Sequence, residues 1–382
     1  MSISLINNAV PFIDKVELDT GARMLVIFWR GSQTGYYPYV WLRDNDPAGF
    51  HPDTKERHFD LTSINLEDDI CEFAVAGDKI QLSWLHENYK TEFALSWLFH
   101  NQLGKTAADP ALSVPQLWRC ELSASDIPRT QAGAILTKSS ALLSWLRDTQ
   151  AYGLSIVDRL ADNADAGTQV ARKVGFLRET NFGIEFEVKS KPHPNNLAYT
   201  SIALPLHTDL TNQELPPGYQ FLHCLSNDAD GGGSIFCDGF AIAEDLRQAD
   251  VAAFDLLVNT LIPFRFHDED YDIRSRKAVI NLDYQGRVNE ICFNPHLAST
   301  LDLEPKLIQA YYRAYQTFMK MTKSPDYNVS IMLNSGEMAV FDNRRVLHGR
   351  EAFDPQSGSR YLHGCYVDRG EFESRIRVLS RT

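Results

Sequence analysis

Leu206-His207-Thr208-Asp209 closes an apolar run, and a second stretch, Phe341-Asp342-Asn343-Arg344-Arg345-Val346-Leu347-His348-Gly349-Arg350, ends a strand-like run on another histidine. In a strand or at its immediate end, residues i and i+2 project to one side, so His207 and Asp209 can face a single ion. Imidazole plus carboxylate suits Fe(II), Mn(II) or Zn(II) and needs one more ligand, for which His348 is the candidate. Two histidines and one carboxylate on one face of an octahedral iron leave the opposite face open, as a cosubstrate and dioxygen require. Arg360, in Ser359-Arg360-Tyr361-Leu362-His363-Gly364, follows His348 closely, and its guanidinium can hold a carboxylate in a bidentate pair.

Outward from these stretches the chain reads as many short strands with few helices. Strand-like runs cover Phe221–Leu225, Ser234–Cys237, Ala278–Leu282, Glu290–Phe293, Val329–Leu333, Met338–Phe341 and Tyr361–Val367, with a single helical interruption at Glu304–Met321. Upstream, the pattern predicts a helix over Gln131–Thr149, a buried strand over Gly153–Val157 and a short helix over Asp165–Val174. Such a pattern favours a sandwich or barrel core. Residues 1–105 read as a small β-rich domain, with apolar stretches at Ala22–Trp29, Tyr37–Trp41 and Phe73–Leu82. Residues 106–125 lack a sustained period and are expected to be a linker, leaving 126–382 as the larger domain.

The 382 residues carry 37 Lys and Arg against 50 Asp and Glu, a net charge of −13, which argues against binding nucleic acid or an anionic membrane. With 44% hydrophobic and 23% charged residues the chain is expected to fold around a sizeable core. The six cysteines (71, 120, 224, 237, 292 and 365) are scattered without CxxC spacing, which suits unpaired thiols in a reducing compartment. The N-terminal stretch has no basic segment leading into an apolar one, so a cytoplasmic protein is expected. A serine hydrolase is disfavoured because Gly232-Gly233-Ser234-Ile235-Phe236 breaks the nucleophile-elbow pattern after the serine. The triglycine Gly231-Gly232-Gly233 reads instead as a turn allowing close backbone approach.

The sequence HTD at residue 207, then FDNRRVLHGR, then SRYLHGCYVDR resembles the Fe(II)/2-oxoglutarate-dependent dioxygenases of the gamma-butyrobetaine and trimethyllysine hydroxylase branch, related to taurine dioxygenase. The stretches PNNLAYT from Pro194, PPGYQFLHC from Pro216 and GGGS from Gly231 are similar to that branch too, and YYPYVWLRDND from Tyr36 resembles the start of its small N-terminal domain. The resemblance implies a mainly β protein with flanking helices, its double-stranded β-helix (jelly-roll) core joined to that β-rich domain. It implies Fe(II) held by His207, Asp209 and His348, with 2-oxoglutarate as cosubstrate paired to Arg360 and assisted by Asn196. A halogenase would need a small residue at Asp209. Homodimers are common in the branch. Its butyrobetaine hydroxylases usually carry a zinc-binding cysteine cluster in the small domain. Leu42 to His51 contains no cysteine here, so no zinc is expected although His51 and His86 remain.

The same resemblance points to a small zwitterionic substrate bearing a trimethylammonium group, which aromatic faces recognise because it cannot donate a hydrogen bond. Phe182 and Phe186 occupy cage positions and Tyr199 a third, while Leu210 stands where carnitine-forming relatives place a tyrosine. Arg287, Asn289 and Asn294 are the candidate donors to the substrate's acid group. Loss of the zinc cysteines and the change at Leu210 favour 2-(trimethylammonio)ethylphosphonate, hence phosphonate catabolism, over gamma-butyrobetaine. A non-catalytic ligand-binding β-helix protein is the alternative of another class.

Overall fold

The computed structural model describes residues 12–31, 33–86, 88–105, 109–189 and 200–381. The chain forms two compact units, Met1–Ala108 and Asp109–Thr382. Among the described residues no helix is long and apolar enough to cross a membrane.

The first unit holds two three-stranded antiparallel sheets, Ile13–Asp19, Met24–Trp29 and Gln33–Pro38 in one, Ile70–Ala76, Lys79–Trp84 and Lys90–Ala94 in the other. Leu25, Ile27, Trp29, Tyr37, Ile80, Leu82, Trp84 and Phe93 bury their side chains in one core. The run Tyr37–Trp41 is not one strand: it ends at Pro38, which has no N–H for a ladder, and Tyr39–Asp44 is helical. Within the cysteine-free stretch, the Arg43 guanidinium lies 4.3 Å from the Tyr89 ring centroid, and Tyr89 donates to Asp46 at 2.7 Å.

The second unit is a double-stranded β-helix. One sheet has six strands in the order Arg129–Gln131, Leu154–Asp158, Met338–Asp342, Tyr219–Asn227, Arg360–Val367 and Glu185–Val188; the other has four, Leu204–His207, Val346–Arg350, Ser234–Asp238 and Val329–Ile331. Alternation along each strand sorts the side chains. Tyr219, Phe221, Met338, Val340, Cys365 and Val367 face outward against the helices Ser139–Tyr152, Ala164–Val174 and Arg369–Leu379. Leu222, Cys224, Phe236, Phe341, Val346 and Leu362 face inward and join the two sheets through one apolar layer. On the other outer side, Leu206, Cys237 and Leu347 pack against Gly239–Ala249, Val251–Asn259 and Pro305–Lys323. Leu222 and Leu362 of that layer, with the inward positions beyond it, line a cavity.

Several expectations are corrected. The span 109–125 is not a free connection: Trp118 and Leu122 are buried between the sheets, and the buried Arg345 donates to the carbonyls of Gln116 and Ala151 while pairing with Asp238 at 2.8 Å. The helix expected over Gln131–Thr149 is two, Ala132–Thr137 and Ser139–Tyr152, divided at the extended Lys138. The Pro305–Lys323 helix is not the single interruption of the strand-rich half, because Gly239–Ala249, Val251–Asn259 and Arg369–Leu379 are also helical. Asp238 and Asp250 cap the first two of these at Phe240 N and Ala253 N, and Val251–Asn259 is so short and largely apolar that a helical period hardly shows.

Candidate active site

The strands Leu204–His207 and Val346–Arg350 pair antiparallel with His207 opposite His348, so two imidazoles become cross-strand neighbours with ring centroids 4.4 Å apart. Asp209 lies just past the strand end. Its Oδ1 is 3.2 Å from His207 Nε2 and its Oδ2 is 3.6 Å from His348 Nε2. The ligand atoms of these three residues all lie within 4.8 Å of one another. A hydrogen bond from His207 Nδ1 to the Pro205 carbonyl (2.8 Å) places the proton on Nδ1 and turns the Nε2 lone pair into the site.

Electrostatics set the protonation state that a metal needs. Burial opposes ionisation of Asp209, yet His348 and His207 outweigh it and hold the carboxyl well below its usual range. Burial, against the pull of Asp209 and with repulsion from His207, lowers the pKa of His348. A carboxylate beside two imidazoles is a donor set that fits Fe(II).

The turn carrying Asp209 is fixed by a residue that the sequence reading quoted but gave no role. Asn343 is fully buried; its Oδ1 accepts from Asp209 N at 2.6 Å, and its Nδ2 donates to the carbonyls of Asp209 and Pro217. Tyr366 adds a bond from its hydroxyl to Asp209 Oδ2 at 2.7 Å. Leu210 follows with a left-handed backbone (φ 56°) and a buried side chain.

The cavity between the sheets, about 280 Å³, is lined by the three residues and by Arg360. Arg360 Nε donates to the Gly232 carbonyl at 3.2 Å, and among the described residues no carboxylate pairs with it. Burial and the neighbouring Arg350 lower its pKa to about 10, leaving it cationic at neutral pH. A buried guanidinium in want of a counterion fits a dicarboxylate cosubstrate. The triglycine turn makes this approach possible: Gly231 and Gly232 have φ of +88° and +76°, and a Cβ on Gly232 would stand 2.8 Å from Arg360 Nε.

Phe182, Phe186 and Leu210 also line the cavity. Phe186 stacks on Tyr366 (centroids 5.0 Å, 30° between planes), and Phe182 meets Phe266 edge-on at 5.4 Å. Asn196 and Tyr199 lie outside the described residues. Two expected donors are not in the cavity. Arg287 is an exposed turn residue paired with Asp283 at 2.8 Å, and Asn289 is exposed, its carbonyl accepting from Arg369. The surface turn after Leu282 holds Arg287 away from the site, and Asn289 sits at an exposed position of the strand Val288–Ile291. Asn294 does line the cavity; its Nδ2 donates to Thr208 O, and its Oδ1 accepts from His296 N and Leu297 N. Gln220, Ser234, His296, Arg350 and Tyr366 are lining residues that sequence reasoning missed. Arg350 and Tyr366 carried a readable signal, since they stand two and six positions beyond His348 and Arg360 and share their strand faces.

This fold and this site define an Fe(II)/2-oxoglutarate-dependent dioxygenase. The chain belongs to the taurine catabolism dioxygenase TauD, TfdA family, whose model matches residues 121–366. It is 37% identical over 359 residues to gamma-butyrobetaine dioxygenase of Pseudomonas sp. (strain AK-1), with 93% of each chain covered. It is 30% identical to human gamma-butyrobetaine dioxygenase over 96% of this chain and 97% of the relative. A crystal structure of a taurine dioxygenase from Burkholderia xenovorans superposes with a TM-score of 0.49 at 14% identity, covering 68% of this chain and 91% of that one.

Proposed function

We propose that this enzyme hydroxylates a small trimethylammonium-bearing acid. The observation that carries the reading is the aromatic wall of Phe182, Phe186 and Tyr366 in the same cavity as His207, Asp209 and His348. Ring faces attract a cation that has no hydrogen to donate. The relatives named above are gamma-butyrobetaine dioxygenases, which supports a substrate with that head group.

In this reading His207, Asp209 and His348 hold Fe(II), and Arg360 pairs with the distal carboxylate of 2-oxoglutarate. When bound, iron and 2-oxoglutarate would let dioxygen act as the oxidant, one of its oxygen atoms turning a C–H bond into C–OH and the other entering succinate, with carbon dioxide released. The protein's part is position and insulation. Asn343 and Tyr366 keep Asp209 aimed, the aromatic wall fixes one end of the substrate, and the apolar side chains of Leu204, Leu222 and Leu362 exclude water around the reacting carbon.

Two acids compete for the other end. Leu210 in the cavity wall, where a tyrosine is expected in carnitine-forming enzymes, favours 2-(trimethylammonio)ethylphosphonate, converted to its 1-hydroxy product. The placement of Arg287 and Asn289 away from the cavity, together with the relatives' activity, favours gamma-butyrobetaine, converted to L-carnitine. The test is product mass and succinate release from Fe(II)-loaded protein offered each acid at equal concentration. A preference for the phosphonate supports the first assignment and a preference for butyrobetaine the second. Turnover of neither, with turnover of an acid lacking the quaternary ammonium group, contradicts the proposal.

A further inference from the structure

The hairpin Ile262–His267 and Asp272–Lys277 belongs to neither main sheet. Its inward residues alternate as Ile262, Phe264 and Phe266, and all are buried. Ile262 and Phe264 join the apolar core beneath the helices, whereas Phe266 does not; its ring lines the cavity and meets Phe182 edge-on. The hairpin is tied to the segment that carries Asp209 and Leu210. Ser275 Oγ donates to the Thr211 carbonyl at 2.6 Å and Lys277 Nζ to the Glu214 carbonyl, while Arg265 N donates to the carbonyl of Leu297, another lining residue. These bonds fix the Phe266 ring relative to Asp209 and Leu210.

We propose that Phe266 is a specificity-determining residue that offers an aromatic face to the cationic head group from the side where Leu210 can offer only aliphatic surface. The inference rests on the trimethylammonium reading above and names a residue that neither the sequence motifs nor the cage positions pointed to. Leucine replaces much of the ring's apolar volume but has no quadrupole, so Phe266→Leu separates attraction for charge from simple packing.

The experiment compares kcat/KM for gamma-butyrobetaine and for 2-(trimethylammonio)ethylphosphonate with that for the corresponding tert-butyl isosteres, in which carbon replaces nitrogen and the charge is lost. Wild type, Phe266→Leu and Phe266→Tyr are measured as intact iron-loaded enzymes. The expected result is a fall of about three- to tenfold in the cation-to-isostere ratio for Phe266→Leu and a ratio kept by Phe266→Tyr. An unchanged ratio in Phe266→Leu, or an equal loss on cation and isostere, overturns the role of Phe266 while leaving the trimethylammonium reading intact. A wild type that does not prefer cation to isostere overturns the reading and this inference together.

Discussion

Arg360 tests the cosubstrate assignment most simply, because its removal leaves the three metal-facing residues untouched. Losing a charge-assisted bidentate contact of ~1.5–3 kcal/mol should raise the apparent KM for 2-oxoglutarate roughly ten- to a hundredfold in Arg360→Ala. Steady-state succinate formation at varied 2-oxoglutarate measures this, and an unchanged KM would mean that another group holds the distal carboxylate. The neighbouring Arg350 donates to the carbonyls of Thr200 and Ile202 at 2.7 and 2.8 Å, which commits part of its guanidinium to the backbone. Lysine should not rescue Arg360→Ala fully, since an ammonium lacks the planar fork.

The edge strand Glu185–Val188 owes its place at the cavity to a glycine on its neighbour. Gly364 pairs with Phe186, and a Cβ at Gly364 would stand 2.4 Å from the Phe186 ring. Gly364→Ala should therefore push Phe186 off Tyr366, lowering kcat/KM for the trimethylammonium acid several-fold and stability by ~1–3 kcal/mol. The KM for 2-oxoglutarate should hold, and a variant that alters it instead would show that the ring does not face the substrate. This contact explains what was legible in the sequence. His207, Asp209, His348 and Arg360 announce themselves through residue type and strand spacing, and the β-rich pattern around them pointed to a sandwich or barrel core, the double-stranded β-helix following from the family resemblance. Phe266 and Asn343 act through pairing partners far along the chain, and no local pattern marks such a partner. Arg287 misled for the converse reason, as its residue type suits an acid group while its turn faces solvent.

Across the larger unit, stability should carry a pH signature from a group outside the active site. His223 lies on the outer face of the six-stranded sheet beneath the helix Ala164–Val174, opposite His363 on the neighbouring strand, and neither ring nitrogen has a hydrogen-bond partner among the described residues. Burial, then the charge of His363, lowers its pKa to about 4, with Asp162 opposing. An unfolded histidine titrates near ~6.5, so between these values the unfolded chain binds more protons than the folded one. The contribution is complete above the unfolded value and is lost as pH falls toward about 4. Melting temperature should drop over this window in wild type and drop less in His223→Leu; parallel curves would show that other groups govern acid sensitivity.

The central claim, that His207, Asp209 and His348 form the metal centre of a dioxygenase acting on a trimethylammonium-bearing acid, is tested most directly by one assay. Succinate release is measured with Fe(II), 2-oxoglutarate and either gamma-butyrobetaine or 2-(trimethylammonio)ethylphosphonate, in wild type and in Asp209→Ala. The expected result is substrate-dependent succinate with one oxygen added to the acid in wild type, and loss of at least about a hundredfold of that rate in Asp209→Ala. Substantial coupled turnover by iron-loaded Asp209→Ala, or a wild type indifferent to both acids, would contradict it.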